Sequence, residues 1–193
     1  MLTAMTVFGF AMTGALGLLT RSTSLFHYDS GKLRVNNDIR SFTSEMSDNA
    51  TYSNHFLVYP SFADRTAPVN DGLSGDFLVL VYRDPADQAR IERLVGYYRA
   101  PADALNPASE GPVRKFDLRF NPSSTQAVAA LLPAVTTSTG HPEVVELSRG
   151  LSNGRLFYNF LDRSIMVKGE IIHRGSLERR ATNTYNFTVS PRG

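Results

Sequence analysis

The chain has 193 residues, with 20 Lys and Arg against 18 Asp and Glu, a formal net charge of +2. It has no cysteine, which excludes disulfides, thiolate metal sites and cysteine nucleophiles. No run of five like charges appears, which argues against a nucleic-acid surface, and the lack of tryptophan removes the commonest sugar-stacking platform.

Residues 1–20 (MLTAMTVFGFAMTGALGLLT) contain no charged side chain, and Arg21 is the first charge. A helix of that length covers about 30 Å, the thickness of a bilayer's hydrocarbon core, so the block predicts a membrane-spanning helix. It is no ordinary signal peptide, because no basic segment precedes it and residues 20–23 offer no small-residue cleavage site. Gly9, Gly14 and Gly17 would each weaken a helix in water, whereas in lipid they allow close helix packing.

Tyr28, Val35, Ile39, Phe42 and Met46 follow at intervals of seven, four, three and four, one stripe of an amphipathic helix. Charges of both signs, from Asp29 and Lys32 to Glu45 and Asp48, occupy the other faces. Gly31 weakens this helix by about 1 kcal/mol against Ala. With no proline before Pro60, the two segments read as one element about 75–80 Å long. The expected division is residues 1–20 as the transmembrane part, 21–54 as the amphipathic part and 55–193 as a β domain.

From His55 onward the pattern changes to short β-type runs separated by Pro, Gly, Asn and Asp. Residues 56–59 read as a short strand, and residues 76–82 (DFLVLVY) as a strand buried on both faces. Further strands are expected over 91–99, 113–120, 143–147, 156–161 and 164–173, with Asp162-Arg163 at a hairpin corner. Tyr185, Phe187 and Val189 point inward from a last strand. Ser123 and Gln126 form a capping-box pattern that opens a short helix stopped by Pro133. The sum is an α+β chain whose long helix packs on about six to eight mostly antiparallel strands.

Residues 150–154 (GLSNG) match the G-x-S-x-G elbow, and Ser152, Asp162 and His173 fall in hydrolase order. The elbow needs a strand before it and a helix after it in a parallel sheet, and the following RLFYNFLDRS reads as a strand, so a glycine-rich turn is the better reading. His27, His55, His141 and His173 are scattered without metal-ligand spacing. His141 with Glu143 and Glu146, and Asn70-Asp71-Gly72 with Asp64 and Asp76, read as polar loops rather than metal sites. No catalytic, cofactor-binding or metal residue is assigned.

The uncharged span running into an amphipathic helix and then an antiparallel sheet resembles the type IV pilin and minor pseudopilin families. Residues 21–62, DFLVLVYRD and RSIMVKGEIIHRG carry the resemblance. It implies a pilin-like fold and a non-enzymatic subunit of a type II secretion or type IV pilus-type assembly. It further implies a single-pass protein of a bacterial inner membrane, its C-terminal domain periplasmic or extracellular. Met1, Phe8, Phe10, Gly14, Gly17 and Leu19 would form the membrane and assembly helix, and Tyr28, Val35, Ile39, Phe42 and Met46 would hold the β domain. Membrane lipid and other pilin-like subunits are the implied partners, with no nucleic acid and no cofactor. The family's Gly-Phe-Thr-Leu-Val-Glu processing motif is absent. Met1 falls where the residue after that motif would stand, so the start is expected to be an internal methionine. The alternatives are a signal-anchored extracytoplasmic binding domain that does not polymerise and, behind it, a membrane-tethered serine hydrolase using Ser152.

Overall fold

One α-helix, α1 (Leu2–Tyr52), runs without interruption for 51 residues, about 77 Å at 1.5 Å per residue. The computed structural model describes residues 2–103, 106, 108–150, 153–173 and 181–192, and for residues 2–8, 10 and 11 the backbone only. Met1 lies outside the described residues, as do the side chains of Phe8 and Phe10.

Among the described residues no helix is long and apolar enough to cross a membrane. The described side chains run apolar only from Met12 to Leu19, with Thr13 among them. Thr20, Arg21, Ser22, Thr23, Ser24, His27 and Asp29 then follow, all exposed. The expected transmembrane helix and single-pass inner-membrane placement are corrected accordingly.

Among the described residues nine strands follow: β1 (His55–Tyr59), β2 (Ser74–Gly75), β3 (Phe77–Arg83), β4 (Ile91–Arg99), β5 (Gly111–Ser124), β6 (Glu143–Gly150), β7 (Phe157–Phe160), β8 (Ser164–His173) and β9 (Ala181–Val189). A single turn of helix, α2 (Val128–Leu131), lies between β5 and β6. The strands join in one sheet in the order β1-β3-β4-β5-β6-β8-β7-β2, with β9 on the other edge of β8. Every pairing among them is antiparallel.

The two ends of that order meet. Val69 N donates to Val58 O at 2.7 Å and Asp76 N to Pro60 O at 3.0 Å, while Arg155 reaches the carbonyls of both Pro60 and Ser74. Gly75 permits the approach, because a Cβ there would lie 2.0 Å from Tyr59 O. The result is a barrel-like antiparallel sheet with one N-terminal helix, and not the expected pilin-like helix laid on a small sheet. The difference arises in β2 and β7, whose short pairing (Ser74 with Tyr158, Gly75 with Phe157) carries the sheet back to β1.

Two cores explain the strand sequences. Leu78 and Leu80 of β3 pack with Val35, Phe42, Met46 and Ala50 of the helix, together with Tyr97, Phe157, Val167 and Tyr185. Phe77, Val79 and Val81 point the other way, into a cluster with Phe62, Leu94, Tyr98, Phe116 and Leu132. β3 is therefore apolar at successive positions because both of its faces are buried. The expected capping box does not form: Ser123 Oγ donates to Asp84 Oδ2 at 2.7 Å from within β5, and α2 starts at Val128 with no side-chain cap.

Candidate assembly surface

The C-terminal half of α1 is fixed to the domain by close fit and by polar clamps. At Gly31 the helix backbone meets β8 and β9, where a Cβ would stand 3.2 Å from His173 and 3.3 Å from Ala181. Val35, Phe42 and Met46 are buried, and Tyr28 and Ile39 pack against the same core. The Phe42 ring makes edge contacts with Tyr97, Tyr185 and Phe187 at 5.8–6.2 Å between centroids. Tyr82 Oη donates to Asn49 O at 2.5 Å, Asn49 Nδ2 to Tyr97 Oη at 2.8 Å, and Lys115 Nζ to Glu45 at 2.6 Å. Burial pushes the Tyr82 hydroxyl up to about 12 and raises Tyr97 further, so both stay protonated donors at neutral pH.

Where the helix leaves the sheet, four ionisable groups meet. Glu146 of β6 stands 3.4 Å from Arg34 and 3.3 Å from His173, the last residue of β8. Glu146 Oε2 is buried and makes no hydrogen bond. Asp38, one turn along from Arg34, is raised above the ordinary carboxylate value, chiefly by burial and secondarily by Glu146, against the pull of Arg34 and His173. N-terminal to Tyr28 the helix projects from the domain as a rod.

The rod is exposed at every described side chain from Met12 to His27. Its apolar residues are open to solvent, Leu16 at 61%, Leu19 at 62% and Phe26 at 70%. Gly14 and Gly17 have nothing within 4 Å of the place a Cβ would take. The threonine hydroxyls do not offer their protons outward. Thr13 Oγ1 donates to Gly9 O, Thr20 Oγ1 to the carbonyls of Leu16 and Gly17, and Thr23 Oγ1 to those of Leu19 and Thr20, at 2.7–3.1 Å. Bonding back to the helix in this way satisfies the hydroxyl protons within the rod and lowers the cost of covering its surface.

Five of the exposed apolar residues, with Thr23 and Ser30, have a regular order, while Leu18 at 73% exposed and Leu25 at 48% lie off it. Met12, Leu16, Leu19, Thr23, Phe26, Ser30 and Leu33 recur at alternating intervals of four and three. At 3.6 residues per turn they form one seam, roughly 150° around the helix from the buried stripe. Leu33 shows the opposition directly. It is 66% exposed, yet it lies between the buried Gly31 and Val35. The helix thus carries two apolar stripes on nearly opposite sides, one docked and one open. Gly14 and Gly17, expected to serve close packing, lie off the open seam.

The other candidate groups are not brought together for chemistry. Ser152 lies outside the described residues. Asp162 sits in the tight turn entering β8, at positive φ, and accepts a hydrogen bond from Asn159 Nδ2 at 2.5 Å. His173 ends the same strand, about 30 Å away along it. Among the described residues no group of three or more His, Asp or Glu is placed to hold a metal ion. His141 bonds Tyr98 Oη at 2.8 Å, Glu143 pairs with Arg114, Asp71 accepts the Leu161 N–H, and Asp76 pairs with Arg99. No protein-family model, curated protein or solved structure matches the chain.

Proposed function

We propose that this chain is a non-enzymatic structural subunit of a secretion- or pilus-type assembly, joined to its neighbours through the projecting half of α1. The observation that supports this most is the open seam, a row of exposed and mainly apolar residues on a rod that continues a helix locked to the domain farther along by its opposite stripe. Such a row is costly to leave in water and productive to cover. The β domain then serves as the body carried by the helix. This reading requires neither a pilin-like fold nor a membrane span, and it uses the part of the sequence that carries the resemblance.

Sedimentation velocity of the full chain and of a Leu16→Lys/Leu19→Lys variant tests it. The wild-type chain is expected to associate as concentration rises, and the variant to remain monomeric with an unchanged unfolding transition of the β domain. Both substitutions fall on exposed positions away from the core, so loss of association would not reflect loss of the fold. A wild-type chain that stays monomeric at the limit of solubility, or a variant that associates equally well, would sink the proposal.

A further inference from the structure

We infer that the occupant of the open seam is a second copy of this chain, whose α1 lies parallel and in register as a coiled coil. The inference rests on the assembly reading above and adds the identity and direction of the partner. In heptad terms Leu16, Thr23 and Ser30 take a positions, and Met12, Leu19, Phe26 and Leu33 take d. Gly9, Met5 and Leu2 continue the same spacing in the sequence toward the N-terminus. A seam spanning more than three heptads is the length at which such a pattern becomes a coiled-coil signal.

Charge supplies the direction. In a parallel pair the g position of one helix lies beside the following e position of the other, and charges there set partner and orientation. Asp29 occupies g and Arg34 occupies the following e, so each copy presents its carboxylate to the other's guanidinium, two such contacts in the pair. Arg34 contacts Glu146 at 3.4 Å within its own chain and still has a side chain 61% exposed, which leaves it able to reach across. An antiparallel pair overlapping along the rod would set Asp29 and Arg34 against the uncharged first half of the neighbour. Arg21 sits at f, on the far side from the seam, where parallel copies do not bring like charges together.

The docked stripe makes this arrangement sterically possible. Because Gly31, Val35 and Phe42 face away from the seam, each β domain lies on the outer side of its own helix. Two parallel helices can therefore meet as far down as Leu33 with the domains flanking them. Thr23 and Ser30 at a positions weaken the seam relative to leucine and favour one register.

The absence of cysteine allows a direct test with single substitutions in the full chain. Thr23→Cys and Ser30→Cys, both at a, are expected to form interchain disulfides under mild oxidation, and Arg21→Cys at f is not. Asp29→Arg removes both symmetry-related pairs and sets like charges in their place, and is expected to raise the dissociation constant about tenfold. A chain that associates through the helix without cross-linking at 23 or 30, or that cross-links equally at 21, overturns the parallel in-register copy and leaves the assembly reading standing. A chain that never self-associates overturns both.

Discussion

Gly31 of the helix lies against His173 of β8 so closely that a methyl group on Gly31 would stand 3.2 Å from the His173 ring and 3.3 Å from Ala181 Cβ. This is where the rod becomes part of the domain, and it reverses the usual meaning of a helical glycine. In isolation Gly31 costs the helix about 1 kcal/mol against Ala; here it also sets the depth of docking. Gly31→Ala is expected to be near neutral, since the gain in helix propensity is offset by a displacement of a few tenths of an ångström at two neighbours. Gly31→Leu should destabilise the domain by about 1–3 kcal/mol through overpacking. Urea unfolding of the two variants measures the contrast, and equal stabilities would show that the contact is not limiting.

The buried pair of Arg99 and Asp76 holds the place where the sheet closes. The guanidinium donates through Nε and Nη2 to the two carboxylate oxygens at 3.1 and 2.7 Å, and also to the carbonyls of Gly154 and Ser109. Asp76 additionally accepts the Leu156 N–H at 3.1 Å, so one ion pair ties β4, the β2–β3 junction and the turn before β7. Removing one partner strands a buried charge and its hydrogen bonds, so Arg99→Met is expected to cost about 3–5 kcal/mol. Arg99→Met with Asp76→Leu should recover part of that loss in equilibrium unfolding. No recovery would mean that the backbone carbonyls, and not the carboxylate, depend on Arg99.

These two contacts mark the limit of what could be read in advance. The docked stripe and β3 were legible because burial leaves a local signature, a 3.6-residue period in one and a continuous apolar run in the other. The closure of the barrel was not, because it depends on Gly75 passing Tyr59 and on a charge pair 23 positions apart, neither of which has a local pattern. Ser123 was misread as a helix cap because Asp84, its actual partner, is 39 residues away. The open seam lies in the 4-3 spacing, but an uncharged block of 20 residues carries the stronger local signal of a helix in lipid, and that signal masks the seam.

Alkaline pH should separate the helix from the sheet. Tyr82 donates to the Asn49 carbonyl, and burial raises its hydroxyl to about 12. Tyr98, which donates to Ser138 O, is also pushed up to about 12. A folded value above the unfolded one, near 10 for tyrosine, contributes stability that is complete below pH about 10 and is lost as pH rises through the folded value. Stability should therefore decline between about pH 10 and 12. Tyr82→Phe should lose about 1 kcal/mol at neutral pH and show a shallower alkaline decline. A variant with an unchanged alkaline slope would assign the effect to other tyrosines.

At the acid end Asp38 works in the opposite sense from an ordinary paired carboxylate. Its folded value is raised, chiefly by burial, so its favourable term is fully present below the unfolded value of about 4 and is lost as pH rises past the folded one. Asp38→Asn should flatten the dependence of the melting temperature just above the ordinary carboxylate range and raise it at neutral pH. A variant less stable than wild type at neutral pH would show that the attraction of Arg34 outweighs the burial.

The rod itself should be only conditionally ordered. A helix outside the domain gains no tertiary packing, and Gly9, Gly14, Gly17 and several threonines lower its intrinsic propensity. In a monomer the amides of residues 12–27 should therefore exchange quickly, while those of residues 35–50, held by the core, should be protected to near the global stability. Covering the seam changes the first segment alone, because the two stripes lie on opposite sides of one helix. Protection over residues 12–27 should rise with protein concentration, and protection over 35–50 should not. Leu16→Lys/Leu19→Lys should remove the concentration dependence without altering the second segment. Equal protection of residues 12–27 at every concentration would mean that the rod is stable alone, and the cost of leaving its seam open could not be the reason it assembles.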